Sequence, residues 1–147
     1  MEQYLTKLIG NISNVQKSLP EIFARVVARD TSDIIDLNVD QLSKGITRTG
    51  ELVSPPYRSD AYAKFKKSIG SQAPKGTPDL ILEGDFTGAF YAEQRGDQVL
   101  IDSKDEKSSE LEAKYDNIFG LTEDNKDELI TQKSEEIIKE ITNEIFK

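Results

Sequence analysis

The N-terminal segment places its apolar side chains at the spacing of an amphipathic helix. They recur at steps of three and four residues, which brings them onto one helical face and predicts helix over 2–30. The apolar positions are Leu5, Leu8, Ile9, Ile12, Val15, Leu19, Ile22, Phe23, Val26 and Val27. Ser18-Leu19-Pro20-Glu21 has the sequence of a capping box, so a break or kink is expected near 18–20. The apolar stripe is expected to pack into the core, across one face of a sheet.

A second long helix is predicted at the other end of the chain, over 122–146. Thr122 is a typical N-cap residue, and Glu123 and Asp124 follow at the positive end of the helix dipole. The apolar stripe of this helix consists of Ile130, Ile137, Ile138, Ile141 and Ile145. The fold is therefore expected to have one long helix at each end of the chain.

Between these helices the sequence predicts a small antiparallel sheet over 80–104. The strand-like runs are Leu80–Leu82, Ala89–Ala92 and Gln98–Asp102, and Gly96-Asp97 is a hairpin turn signal. Residues 33–44 fit either a further helix or a short strand. Because 147 residues are enough for one domain, we expect a single α+β domain over 1–147, with the two long helices packed on a small antiparallel sheet that includes a β-hairpin.

Residues 43–78 form a loop-rich, basic segment. Ser59 is predicted to cap a short helix, and the Gly- and Pro-rich stretch 70–78 is predicted to be a flexible loop. Residues 43–75 have a net charge of +5, whereas the rest of the chain has a net charge of −13. Copies of one chain that carry both signs can associate head to tail. A solvated surface and a contact with DNA are the alternatives for this segment.

Composition excludes several kinds of active site. The chain has no His and no Cys, so it cannot form a Ser–His–Asp triad, a thiol nucleophile or a zinc site with those ligands. Nothing in the sequence singles out a facing carboxylate pair, an EF-hand loop or a phosphate-binding glycine loop. We therefore expect no enzymatic activity, no catalytic, cofactor-binding or metal-ligating residues, and no cofactor.

Charge and hydropathy limit the expected environment. A net charge of −8 disfavours sequence-independent binding to nucleic acid. No apolar run approaches the ~18 residues that span a bilayer, and the first residues lack the basic and apolar regions of a signal peptide, so neither a signal peptide nor a membrane partner is expected. The chain is expected to be intracellular, or to be carried in a particle that is assembled in a cytoplasm.

The run from Gln41 to Phe86 contains short motifs in a recognisable order. They are Gln41-Leu42, Gly50, Tyr62-Ala63-Lys64, Pro74-Lys75-Gly76, Pro78-Asp79-Leu80, Leu82 and Gly84-Asp85-Phe86. This run resembles the middle of bacteriophage neck and tail-completion proteins, the small ring-forming components between portal and tail. The later run Lys114–Thr122 is similar to the segment before the last helix of that family. Glu83 stands where the family usually has Thr, and Asn117-Ile118-Phe119 stands where some members have Pro-Arg-Phe.

The resemblance implies a non-enzymatic structural subunit of the virion neck or tail, assembled in the host cytoplasm. Such a subunit forms a ring with copies of itself around the DNA exit channel, and it contacts the portal or connector above and tail proteins below. An acidic chain suits a channel through which DNA passes without sequence-specific binding, because attraction would retard its passage.

The subunit and partner interface is predicted to involve the basic segment, the hairpin tip and the C-terminus. Its candidate residues are Tyr57, Arg58, Lys64, Lys66, Lys67, Lys75, Gln94, Arg95 and Phe146. The alternative function is a cytoplasmic helical adaptor or assembly chaperone that has no catalytic activity and binds through its C-terminal stripe. A third possibility, a carboxylate enzyme, would need a deep pocket with clustered Asp or Glu side chains of raised pKa.

Overall fold

The computed structural model describes residues 1–81 and 85–147. This part of the chain contains seven helices and one β-hairpin. The helices are α1 Glu2–Arg29, α2 Ser32–Ser43, α3 Asp60–Ser68, α4 Asp85–Gly88, α5 Ser108–Lys114, α6 Glu123–Gln132 and α7 Ser134–Ile145, and the strands are β1 Phe90–Arg95 and β2 Gln98–Ser103. The predicted α+β class, with a long N-terminal helix, helices at the C-terminus and a small antiparallel sheet, is confirmed.

Helix α1 is continuous through Pro20, so of the break or kink predicted at 18–20, the break is wrong. A proline inside a helix removes one hydrogen bond and crowds the preceding turn. Val15 before Pro20 and Ile22 and Val26 after it lie on one helical face, and all three are buried. Packing of this common face on both sides of Pro20 holds the two halves in one helix.

The sequence of residues 33–44 fits either a helix or a short strand, and the structure has helix α2 there. Its buried side chains are Ile34, Asn38, Gln41 and Leu42, which recur at helical spacing. Gly45 follows the helix with a φ of +75°, and a Cβ there would lie 2.6 Å from Cγ2 of Thr77. Glycine at this position therefore allows the chain to turn in close contact with the 70–78 stretch.

The C-terminal region forms two helices rather than the single helix predicted over 122–146. Thr122 caps α6 as predicted, since its side chain accepts a hydrogen bond from the backbone N–H of Asn125. The chain turns at Lys133, whose buried ammonium lies 2.8 Å from Asp33 on α2. That hydrogen bond raises the pKa of Lys133 above its ordinary value. The turn lets α6 pack against α2 while α7 packs along α1.

The hairpin predicted around Gly96-Asp97 is present, with a register that runs from Phe90 opposite Ser103 to Arg95 opposite Gln98. The strand predicted at Leu80–Leu82 does not form at Leu80 or Ile81, and Leu82 lies outside the described residues. Leu80 has a φ of +59°, which is not a strand conformation. The described sheet therefore has two strands.

Two apolar clusters form the described core. The first joins Leu42, Val53, Phe86, Phe90, Tyr115 and Ile118, and the second joins Val27, Ile34, Leu121 and Leu129. The 70–78 stretch has no helix or strand, as predicted, and its Ala73, Thr77 and Pro78 are buried. Within the described residues, no helix is both long enough and apolar enough to cross a bilayer.

Candidate assembly surface

Helix α7 packs antiparallel to α1 and covers only part of its length. Glu140 accepts hydrogen bonds from Arg25 Nη2 at 3.1 Å and from Arg29 Nη2 at 2.7 Å. At the other end of α7, the side-chain amide of Asn11 donates to the carbonyl of Ile145 at 2.9 Å. Helix α7 therefore ends at the level of Asn11, and residues 2–10 of α1 extend beyond it by about 14 Å.

The projecting end of α1 exposes an apolar face, which we call the N-terminal stripe. It consists of Met1, Tyr4, Leu5, Leu8, Ile9 and Ile12, all of which are exposed except the half-buried Leu8. Ile9 has 67% of its surface exposed. The prediction that this end of the stripe belongs to the core is wrong, because the helix that would cover it ends too early. A contiguous exposed apolar face is typical of an interaction surface.

The ion pairs of Glu140 predict a pH dependence of stability. The hydrogen bond from Arg29, together with the charges of Arg29 and Arg25, holds the pKa of Glu140 below its ordinary value of 4.5. A carboxyl group with a lowered folded-state pKa stabilises the fold above that ordinary value, and this contribution is lost as the pH falls through the folded-state pKa. We therefore expect Glu140→Gln to lower the free energy of unfolding near neutral pH and to have a shrinking effect below pH 4.5.

Urea unfolding of both proteins over a pH series that extends below 4.5 measures this difference. The control is Glu135→Gln, which neutralises an exposed carboxylate on the same helix. If the difference in the free energy of unfolding between the native chain and Glu140→Gln stays constant at all pH values, the lowered pKa of Glu140 is contradicted.

A second surface feature is an open groove of about 700 Å³ beside the hairpin, which we call the hairpin groove. Residues 98–102 of β2 line one side, and α6 contributes Lys126 and Leu129. Its apolar lining includes Ile34, Val99, Ile101, Leu121 and Leu129. Its acidic lining is Glu93, Asp97, Asp102 and Glu112, and its basic lining is Arg48, Arg95 and Lys126. The groove therefore combines an apolar surface with charges of both signs.

Lys66, a predicted interface residue, is buried inside the subunit. Its side chain is only 4% exposed, and its ammonium lies 2.8 Å from Asp79 and donates to the carbonyl of Ile81 at 2.6 Å. Asp79 also accepts hydrogen bonds from Ser71 Oγ at 2.8 Å and from the backbone N–H of Ile81 at 3.0 Å. The interface assignment of Lys66 is therefore wrong, because its charge is satisfied within the fold.

Three more of the predicted basic interface residues are exposed but have partners within the chain. Lys64 and Lys75 lie 3.1 Å and 3.2 Å from the carboxylate of Asp60. Hydrogen bonds from these two lysines hold the pKa of Asp60 below its ordinary value. Lys67 donates to the carbonyls of Ser71 and Ala73. These contacts weaken the prediction that the segment acts as a free basic patch toward other copies.

Tyr57 lies beside the buried ion pair and lines an aromatic cavity of about 270 Å³. Its ring packs edge-on against Tyr62, with the centroids 4.8 Å apart. Burial raises the pKa of Tyr57 to about 12, and the charge of Asp79 acts in the same direction. The phenol therefore stays protonated at neutral pH. Tyr62 and Tyr115 also line the cavity.

The other predicted interface residues lie at three separate places on the surface. Arg58 is exposed ahead of α3. At the hairpin tip, Gln94 donates to the carbonyl of Gly96 at 2.9 Å, and the exposed Arg95 pairs with Glu93. Phe146 follows α7 and is exposed. Of the nine predicted residues, Arg95 lines the hairpin groove, whereas Tyr57 and Lys66 line the aromatic cavity.

The sequence prediction of the interface did not include the N-terminal stripe. The helical spacing of the apolar residues in α1 can be seen in the sequence. The sequence does not show how much of the length of α1 is covered by α7. Among the described residues, no group of three or more Asp, Glu, His or Cys side chains is placed to hold a metal ion.

No protein family model matches this chain, and no curated protein or solved structure matches it.

Proposed function

We propose that this chain is a structural subunit of a phage neck or tail, which assembles with copies of itself into a ring around the DNA exit channel. The N-terminal stripe is the observation that carries this proposal. Exposed apolar surface is unfavourable in water, and burying it against a neighbouring copy provides a driving force for assembly. The motifs of residues 41–86 support the same assignment by their resemblance to the neck and tail-completion family.

The charge distribution is compatible with a channel for DNA. The net charge is −8, which disfavours phosphate binding. Lys64 and Lys75 share Asp60, and Lys66 is paired with Asp79, so three cations of the basic segment are partly neutralised. In the proposal, DNA passes without sequence-specific binding, and the ring contacts the portal or connector on one side and tail proteins on the other.

The alternative is a cytoplasmic adaptor or assembly chaperone that binds through α7. The exposed side chains of Ile138 and Phe146 favour it. Ile137 is buried and Ile141 and Ile145 are half-buried, so the C-terminal stripe offers less free apolar surface than the projecting end of α1. Ile138→Asp combined with Phe146→Asp distinguishes the two roles better than removing α7, which packs on α1. An adaptor would lose its client, whereas particle assembly would continue.

Incorporation into virus particles tests the proposed function. The native chain is expected to copurify with portal and tail proteins, and Ile9→Asp is expected to reduce its amount in particles at least about tenfold, because a charge in the N-terminal stripe opposes burial. The matched control, Gln3→Asp, adds the same charge to an exposed polar position of the same helix end and is expected to be incorporated normally. Quantitative mass spectrometry of purified particles measures both.

The virion role would be contradicted by complete, infectious particles that lack the chain while it accumulates free in the host extract. Equal incorporation of Ile9→Asp and Gln3→Asp would contradict the assignment of the N-terminal stripe as the assembly surface.

A further inference from the structure

We propose that the N-terminal stripe of one copy docks into the hairpin groove of a second copy. This inference rests on the proposed self-assembly and names the two surfaces that meet. The stripe and the groove are different surfaces of one chain, so the contact is head to tail. Repeating such a contact generates a closed ring when the rotation between neighbouring copies closes, and a filament when it does not.

The shapes of the two surfaces fit this contact. Leu5, Ile9 and Ile12 lie at positions i, i+4 and i+7 at the N-terminal end of α1, which is the spacing of anchors in helix-in-groove recognition. The hairpin groove is open and has a volume of about 700 Å³. Its partly exposed apolar side chains, such as Val99 and Leu100, offer a surface against which these anchors can pack.

Charge favours a second copy as the occupant. The chain has a net charge of −8, so most approaches of one copy to another are opposed. Residues 1–16 carry only Glu2 and Lys7 and are therefore neutral overall. The groove has carboxylates such as Asp97 to pair with Lys7, and it has Arg48 to pair with Glu2. This end of α1 therefore approaches another acidic copy with little repulsion.

The same charges disfavour an anionic membrane surface as the occupant. Helices that lie on membranes carry several Lys or Arg residues on their polar face. In residues 1–16 Lys7 is the only basic side chain, and the acidic remainder of the protein would be repelled by anionic lipids.

Site-directed cross-linking tests the contact, and the chain suits it because it has no native cysteine. Ile9→Cys marks the stripe, and Leu100→Cys marks the groove at a side chain that is 38% exposed. The two variants are prepared separately, mixed over a series of concentrations and treated with a short bis-maleimide linker. We expect a covalent dimer in the mixture and none with either variant alone. The control mixture pairs Ile9→Cys with Ile69→Cys, which is also exposed but lies outside the groove lining, and is expected to stay monomeric.

A dimer of Ile9→Cys with itself, without a dimer in the mixture, would overturn head-to-tail docking in favour of two-fold pairing of the stripes. The absence of a cross-link between positions 9 and 100, both in solution and in purified particles, would also overturn it. If the chain is incorporated into particles but this cross-link does not form, the docking is contradicted and the proposed function stands. If the cross-link forms in solution but the chain is absent from particles, the virion role is contradicted and the docking stands.

Discussion

Lys66→Met is expected to lower the free energy of unfolding by about 3 to 5 kcal/mol, because it leaves Asp79 as a buried carboxylate without its cation. The ammonium and the carboxylate lie 2.8 Å apart, and both side chains are almost completely buried. Methionine has a similar length and helix propensity, so the change removes mainly the charge and its hydrogen bonds. The carbonyl of Ile81 would lose its donor as well.

Lys64→Met is the matched control, since it makes the same replacement two residues earlier in α3, on the exposed side of the helix. The ion pair of Lys64 with Asp60 is exposed, and its loss is expected to lower the free energy of unfolding far less than the loss of the buried pair. Urea unfolding at neutral pH, monitored by circular dichroism, gives both values. Equal destabilisation by the two variants would show that Lys66 is not the buried partner of Asp79.

The second large effect is expected at Asn38, which is completely buried on α2. Its side-chain amide donates to the carbonyl of Ile118 at 3.1 Å, and its side-chain oxygen accepts from the N–H of Gly120 at 2.9 Å. Asn38→Ala leaves both backbone groups without a partner and opens a small cavity. We expect a loss of about 2 to 4 kcal/mol in the free energy of unfolding.

Asn14→Ala is the control for this change, because both variants gain the same helix propensity and Asn14 is exposed on α1. Its effect is expected to stay within about 0.5 kcal/mol of zero. Hydrogen exchange at the Gly120 amide provides a local readout, with faster exchange expected in Asn38→Ala alone. A stability and an exchange rate like those of Asn14→Ala would contradict this role of Asn38.

Local sequence patterns predicted those parts of the fold that depend on neighbouring residues. Ser59 and Thr122 cap their helices as expected, because an N-cap needs only a side-chain oxygen and the next turn of backbone. The Gly96-Asp97 turn fixes the hairpin in the same local way. Helix α5 was not predicted, since its short sequence Ser108–Lys114 contains Leu111 as its only large apolar residue and gives no helical period.

Features that depend on tertiary contacts were missed. Pro20 stays within α1 because apolar residues on both sides of it are buried, and the chain turns at Lys133 where the ammonium reaches Asp33 on α2. The same limit explains the errors at the candidate site. Lys66 is buried because Asp79, from a loop without regular structure, folds back onto it. Ile9 is exposed because α7 ends at the level of Asn11.

The ring proposal is tested most directly by a reconstruction of the head–tail junction of purified particles, at a resolution that shows helices. The proposal predicts several copies of the fold around the DNA axis, with the projecting end of each α1 in the hairpin groove of its neighbour. A junction whose density is fully occupied by other proteins would contradict the account.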